Sequence, residues 1–449
     1  MPTLDVSELN TTISILGAFM LLFGLISIKV KRAWYLGEAL PAVIVGICLG
    51  PIAAEFIDAE RWGSAEPGQT SDITLGVMRV VIGIQVLMAG YQLPAKYQLH
   101  KWREMTICLL PNMAIMWLLT GGCTLATILN LSPLVAMVIE SCVTPADPVL
   151  SQSIAKGPFA DKYVPRPLRE IISSEAGAND GFAFPFLMLA TYLIRHADVP
   201  HAISNGGDGG HAARDVDLVV RAGEVGRLGG GVVEAIKNWI LEILLYVILV
   251  APIYGAVVGF GAGKVIKFAL RRKWIDEESY LLFPTAVGLF VLGTCGSIGV
   301  KTERQHDEFN SAADLLLNVG AFIYIGAIMP WDEFYQPELT GITYPRLVGL
   351  GFMVLALHWI PAIMLLYKIM PSVTKNWKDA LFMGYFGPIG VGAVFYLEHI
   401  RVHLFPPIGE GDEEETILMR AVGPIDMWLV LFSIAIHGIS IPILVVIYK

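Results

Sequence analysis

Apolar residues along the chain fall into twelve blocks, at 11–28, 36–54, 72–93, 105–128, 133–155, 170–194, 239–263, 279–300, 311–330, 346–367, 379–398 and 421–447. Short polar or charged segments separate most of them. A bilayer-crossing helix needs about 20 predominantly apolar residues, and these blocks are of that size. They lack the two-residue alternation of a β-barrel. The pattern predicts an all-α polytopic membrane protein of about 12 spans, with residues 1–449 forming a single transmembrane domain. One connection is long. Residues 195–237 include "SNGGDGGHAARDVD", too Gly-rich and polar to form a core, and are expected to be an external linker. Within its end, "VVEAIKNWI" (232–240) is predicted as an amphipathic helix lying on the surface before the seventh span. The chain ends at Lys449 directly after its last block, so no soluble C-terminal tail is expected.

Composition agrees with the pattern: 55% of residues are hydrophobic and 16% charged, too little charge to cover a soluble protein of this length. The five cysteines, Cys48, Cys108, Cys123, Cys142 and Cys295, all lie in apolar blocks. They read as packing thiols with no disulfide framework, metal spacing or cofactor site. The net charge of −9 resides in loops and indicates no nucleic-acid partner. Residues 1–10 lack the basic start of a cleavable signal peptide.

Basic residues set the orientation. Lys29, Lys31 and Arg32 follow the first block, Lys96, Lys101 and Arg103 the third, Lys156, Lys162, Arg166 and Arg169 the fifth, and Lys264, Lys267, Arg271, Arg272 and Lys273 the seventh. The N-terminus is therefore expected outside.

Two interruptions and one polar cluster carry the candidate chemistry. In "TPADPVL", Pro145 and Pro148 each remove a backbone donor, and Asp147 before Pro148 has the pattern of an N-cap followed by proline at the first helical position. The reading is a helix that stops and restarts inside the membrane around Thr144, Ala146 and Asp147; a plain proline kink capped by Asp147 is the alternative. In "SSEAGANDGFAFPF", Ala176, Asn179 and Asp180 share a helix face, and Glu175 lies beside Asn179 at i, i+4. An ionisable group at this depth costs at least about 2.5 kcal/mol to insert, which marks Asp180 as functional; pairing with a buried cation is the alternative. In "FGPIGVGAVFY", Gly387, Pro388, Gly390 and Gly392 weaken a second span. One interrupted helix in each half marks an inverted-repeat transporter with its site where the breaks meet. Small-residue helix packing is the other reading of that motif.

"CVTPADPVL", "SSEAGANDGFAFPF", "LFPTAVGLFVLGTCGSIG", "DLLLNVGAFIYIGAIMPW", "FGPIGVGAVFYL" and "HGISIP", in this order over nearly the whole chain, resemble the signatures of the fungal sodium/proton antiporter family within the cation/proton antiporter superfamily. The resemblance implies an inverted-repeat antiporter fold, a homodimer in the lipid bilayer (expected to be the plasma membrane), and exchange of Na⁺, or Li⁺ or K⁺, for H⁺. It implies a cation/proton-binding site at Asp180, Asn179, Asp147, Ala146 and Thr144, with transient Na⁺ at Asp180 and Asp147, supported by Glu175, Gln92, Ala176, Pro145, Pro148, Gly387 and Pro388. Where the family reads Thr-Asp-Pro this chain has Ala146-Asp147-Pro148. Where it reads Glu-Ser-Gly the chain has Glu175-Ala176-Gly177, and for Val-Glu-Leu-Pro it has Tyr91-Gln92-Leu93-Pro94. A hard cation takes several oxygen ligands, so these departures favour a weak or altered site.

The expected activity is monovalent cation/proton antiport by alternating access, with no enzymatic chemistry. A degenerate, non-transporting relative with a structural or sensing role stays open. An intramembrane aspartyl protease is disfavoured, because Gly177-Ala178-Asn179 stands where such proteases resemble one another as Gly-x-Gly before the aspartate.

The charges also predict an irregularity. If "KTERQHDEFNS" (301–311) led directly from span eight into span nine, Asp332, Glu333 and Glu338 would face inside, Lys368, Lys375 and Lys378 outside, and "EGDEEE" (410–415) inside. All three reverse the positive-inside rule. The broken spans would also run parallel, whereas an inverted repeat needs them antiparallel. The resemblance agrees: the family carries an apolar, small-residue segment just after the "CGSIG" match. One family span is therefore expected to be missing or hidden after residue 300.

Overall fold

Ser132 starts the first interrupted helix. Its hydroxyl accepts from Val135 N at 3.2 Å, and Pro133 takes the first turn, where its missing N–H costs nothing. Asn376 opens the second in the same way, accepting from Lys378 N and Asp379 N at 2.9 and 3.0 Å. The computed structural model describes residues 7–30, 36–64, 66, 68–91, 97–155, 158–197, 227–276, 283, 286–291 and 307–448. Among them the backbone is helical, with one isolated bridge between Gln336 and Ile342 and no strand. Short turns aside, the helices are α1 (Glu8–Ile28), α2 (Ala39–Leu49), α3 (Gln69–Tyr91), α4 (Trp102–Thr127), α5 (Pro133–Val143), α6 (Pro148–Ala155), α7 (Arg166–Arg195), α8 (Gly231–Arg271), α9 (Asp307–Ala327), α10 (Tyr344–Ile369), α11 (Trp377–Tyr385), α12 (Val391–His399) and α13 (Glu413–Tyr448).

Among the described residues, five helices, at Glu8–Ile26, α4, α8, α10 and Glu413–Val446, are each long and apolar enough to cross a membrane. The interrupted spans fall short of that length because each is two half-helices. Bare apolar side chains face outward, as at Leu25, 83% exposed on α1, and Phe260, 67% exposed on α8. This places the greasy surface where lipid would lie. The segment 232–240 is not a separate surface helix. It forms the first turns of α8, where Trp239 Nε1 donates to the Pro185 carbonyl at 2.8 Å and Glu242 accepts from the Tyr192 hydroxyl at 2.5 Å. These two bonds tie α8 to α7 and draw the segment into one continuous helix.

α5 packs against α4, α7, α12 and α13, forming the centre of the molecule. To one side, α2 and α9 meet backbone to backbone. A Cβ at Gly46 would overlap the Ile323 carbonyl, and one at Gly326 the Val43 carbonyl. Only glycine permits that approach. α3 and α9 run antiparallel, joined by Thr74 and Tyr324 hydroxyls at 2.7 Å and by Gln85 Nε2 donating to Asn318 Oδ1 at 2.9 Å.

Loop contacts fix which ends lie together. Ser132 at the start of α5 donates to Glu414 at 2.5 Å. Arg227, before α8, binds the Ile194 carbonyl at the end of α7 and reaches Asp412 and Glu414. Gly341 lies 3.5 Å (from a built Cβ) from the Asn130 amide. The loops at 128–132, 227–230, 328–343 and 405–412 therefore share one side. On the opposite side, Lys101 donates to Ser372 at 2.8 Å, and Ser372 donates to Glu104. Thus α5–α6 and α11–α12 run antiparallel. The acidic segments at 332–338 and 410–415 lie on the side of the α7–α8 connection. The chain leaves α8 and enters α9 on the opposite side, so an uncompensated crossing between them would not fit this arrangement. The expected missing span lies between residues 300 and 311, of which 300–306 fall outside the described residues, as do Gln92, Cys295 and residues 198–226 of the long connection.

Candidate functional site

The two interrupted spans cross at their breaks. α5 stops at Val143 and α6 starts at Pro148. α11 stops at Tyr385 and α12 starts at Val391. Between them, Asp147 N donates to the Pro388 carbonyl at 2.7 Å. The Asp147 carboxylate then caps both restarted halves. Oδ1 accepts from Val149 N and Leu150 N, each at 2.9 Å, and Oδ2 accepts from Val391 N at 2.9 Å. A helix start presents unpaired N–H groups and the positive end of its dipole, so one carboxylate answers two of them. Gly390 is required here, because a Cβ on it would overlap that carboxylate. Gly387 is required for a similar reason, lying against the Trp359 indole.

α7 brings up Asp180. The residue is 5% exposed, both carboxylate oxygens are buried, and neither has a hydrogen-bond partner or an ion pair among the described residues. A Cβ built on Gly392, in the first turn of α12, would stand 2.6 Å from Asp180 Oδ1. The carboxylate therefore rests against the helix start that Asp147 caps. Beside it, Asn179 donates to Glu175 Oε1 at 2.7 Å, leaving Asn179 Oδ1 buried and unpaired. Ala146, within the first break, and Ala176, on α7 one turn before Asp180, are both buried and offer no side-chain oxygen. The Thr144 hydroxyl donates to the Glu140 carbonyl at 2.7 Å, closing the last turn of α5.

Several supporting groups went unread in the sequence. Tyr396 on α12 donates its hydroxyl to the backbone carbonyl of Asp180, pinning α7 to α12. From α13, Ser433 accepts from Ile389 N at 2.8 Å, and His437 Nε2 lies 2.9 Å from the Tyr385 carbonyl. Both brace the second break. The readable signal for this pair was polar residues four apart in an apolar run.

The site thus holds one uncommitted buried carboxylate against the start of α12, and the adjacent residue on α7 carries an unpaired buried amide oxygen. Interrupted backbone at membrane depth is tolerated where it lines a binding cavity.

Comparisons with known proteins give the family. The family model described as "Sodium/hydrogen exchanger, transmembrane" matches residues 17–303. A probable Na⁺/H⁺ antiporter of Schizosaccharomyces pombe is 35% identical over 97% of this chain and 56% of its own length. The Na⁺/H⁺ antiporter of Saccharomyces cerevisiae is 32% identical over 98% of this chain and 44% of its own. The chain thus spans about half the length of these relatives. A second S. pombe Na⁺/H⁺ antiporter is 28% identical and is covered over 92% of its length. The sodium proton antiporter MjNhaP1 from Methanocaldococcus jannaschii shares the fold, with a TM-score of 0.54 at 15% identity over 96% of this chain and 100% of that one. On the family match across well over half of its residues, the chain belongs to the sodium/hydrogen exchanger family.

Proposed function

We propose that this protein exchanges Na⁺, or a related monovalent cation such as Li⁺ or K⁺, for H⁺ across a membrane, with Asp180 as the carrier carboxylate. The observation that carries the reading is the buried Asp180 carboxylate with both oxygens unpartnered, set against the start of α12. A desolvated carboxylate favours its protonated form, whereas a nearby cation favours the ionised form. One site can therefore hold a proton or a cation, and opening it to each side in turn yields exchange. Asn179, held by Glu175, orients its free amide oxygen toward the ion. The Ala146 carbonyl adds a backbone ligand. Asp147 fixes the crossing and supplies negative field, while Thr144 shapes the break. The N-terminus faces outside, the membrane is the plasma membrane, and the chain works as a homodimer.

The relatives' names support this reading. So does the division of labour between the aspartates: Asp147 is taken up by backbone amides, so the two do not form the proton-sharing dyad of a hydrolase. Buried alanines at 146 and 176 favour a second reading, a relative that keeps the fold without transporting. Cation-driven proton flux in loaded proteoliposomes, run with Na⁺, Li⁺ and K⁺, separates them. Wild type should give flux that Asp180→Asn abolishes. Flux retained in that variant removes Asp180 as the carrier, and none in wild type supports the second reading.

A further inference from the structure

A cavity of about 20 Å³ lies beside the second break, and Asp180 is not among its walls. His358 and Trp359 of α10, Tyr385 and Gly387 at the break, and Ser433 and His437 of α13 border it. One water molecule needs about 10–15 Å³. No acidic side chain, lysine or arginine borders the cavity, which favours a neutral occupant over an ion.

Two polar atoms of the wall are unengaged. Trp359 and His358 are each 3% exposed. Trp359 Nε1 and His358 Nε2 are buried and have no hydrogen-bond partner among the described residues. The two rings are neighbours, with centroids 6.0 Å apart and planes inclined by 60°. The indole nitrogen lies at the wall formed by Gly387, where a built Cβ would stand 2.3 Å from it. Pro361 explains why both rings gather here. It removes the amide that would answer the Leu357 carbonyl, so α10 bends at His358, where ψ reaches −78°. The neighbouring polar groups are committed to the break. Ser433 accepts from Ile389 N at 2.8 Å and lies 3.1 Å from His437 Nδ1, and His437 Nε2 lies 2.9 Å from the Tyr385 carbonyl.

We propose that this cavity binds one ordered water, which accepts from the Trp359 indole N–H and donates to His358 Nε2. An indole nitrogen only donates, and the unprotonated nitrogen of a neutral imidazole only accepts. Water supplies both functions in the space available, whereas an apolar occupant would leave both atoms unpaired. The site gives α10 a part in the crossing. Trp359 lies against Gly387 of the second break, and His358 faces the Thr144 backbone of the first. The water joins these two side chains, adding a link between the breaks to the one made by Asp147.

Hydroxyl-radical footprinting of the purified full chain by pulsed X-ray radiolysis, read by mass spectrometry, tests the site. Radicals form on bound water and oxidise the side chains that touch it. Trp117 is the dry control: it is also buried, at 9% exposed, but its Nε1 donates to the Met137 carbonyl at 2.7 Å. Trp359 should be oxidised several-fold faster than Trp117. In Trp359→Phe the donor is gone, and an apolar wall stays dry, so oxidation of His358 should fall several-fold from its wild-type rate. Trp359 oxidised no faster than Trp117 overturns the proposal, whether or not the variant folds. So does His358 oxidation that Trp359→Phe leaves unchanged, because the water would then sit elsewhere. Oxidation of Trp359 that varies with the chain length of the detergent overturns it as well, since an alkyl chain would then occupy the cavity. None of these outcomes bears on the flux assigned to Asp180.

Discussion

Asp147 and Val391 lie 244 residues apart in sequence, yet the Asp147 carboxylate accepts the first free amide of α12 at 2.9 Å. This bond makes the crossing of the two broken spans a single unit. Asp147→Ala removes three charge-assisted bonds from buried amides. Hydrogen bonds to a charged group are each worth about 1.5–3 kcal/mol, so the variant should lose at least about 3 kcal/mol of stability, read as a lower Tm in detergent. Gly390→Ala should reproduce the defect by pushing the same carboxylate away. A normal Tm in both variants would show that the crossing holds without this bond.

A charged clamp on the opposite periphery should respond to pH. Arg227 bridges Asp412 and Glu414, the latter at 2.8 Å. Burial alone would raise the Asp412 carboxyl, but the hydrogen bond and charge of Arg227 outweigh it and hold the carboxyl below its ordinary value. A depressed carboxyl contributes stability that is present above the unfolded-state value of about 3.9 and is lost as pH falls through the folded value. The 405–412 loop should therefore be protected from hydrogen exchange at neutral pH and released below about pH 4. Arg227→Ala should release it at neutral pH. Equal protection in the variant and wild type at neutral pH would remove the clamp.

Sidedness is testable on the same loop. Single cysteines at Glu410 and Asn130 should react with an impermeant thiol reagent from one face, and cysteines at Ser372 and Lys101 from the other. The orientation proposed from the basic residues puts the first pair outside. Labelling Glu410 and Asn130 from different faces would contradict the loop contacts. Labelling both from inside would reverse the orientation and leave the fold intact.

These predictions rest on features of unequal legibility. The breaks were readable because Pro145, Pro148, Gly387, Pro388 and Gly390 are punctuation no membrane helix tolerates without use. Asp180 was readable because a carboxylate inside an apolar run is costly. The antiparallel arrangement was foreseen from loop charges, and the contacts of Ser132 and Lys101 agree with it. The partners of Asp147 were only half visible: Val149 and Leu150 follow from local capping, but Val391 comes from the other end of the chain. The segment 232–240 was misread because its amphipathic pattern is equally compatible with a helix buried on one face by α7.

The last prediction concerns ion affinity. The proposed ligand set is Asp180, the unpaired oxygen of Asn179 and the carbonyl of Ala146, and the buried Ala146 and Ala176 can add no side-chain oxygen to it. Na⁺ binding should accordingly be weak, with water completing the shell. Ala146→Thr with Ala176→Ser adds two hydroxyls to the buried space. Replacing water by fixed oxygens saves part of the roughly 0–2 kcal/mol of entropy lost in holding each ordered water. Apparent Na⁺ affinity should then improve by about tenfold for each 1.4 kcal/mol gained. The concentration dependence of proton efflux from proteoliposomes measures it. The gain should vanish in Asp180→Asn, where no carboxylate remains for the cation. An unchanged Na⁺ dependence in the double variant would place the ion away from Ala146 and Ala176 and overturn the proposed ligand set.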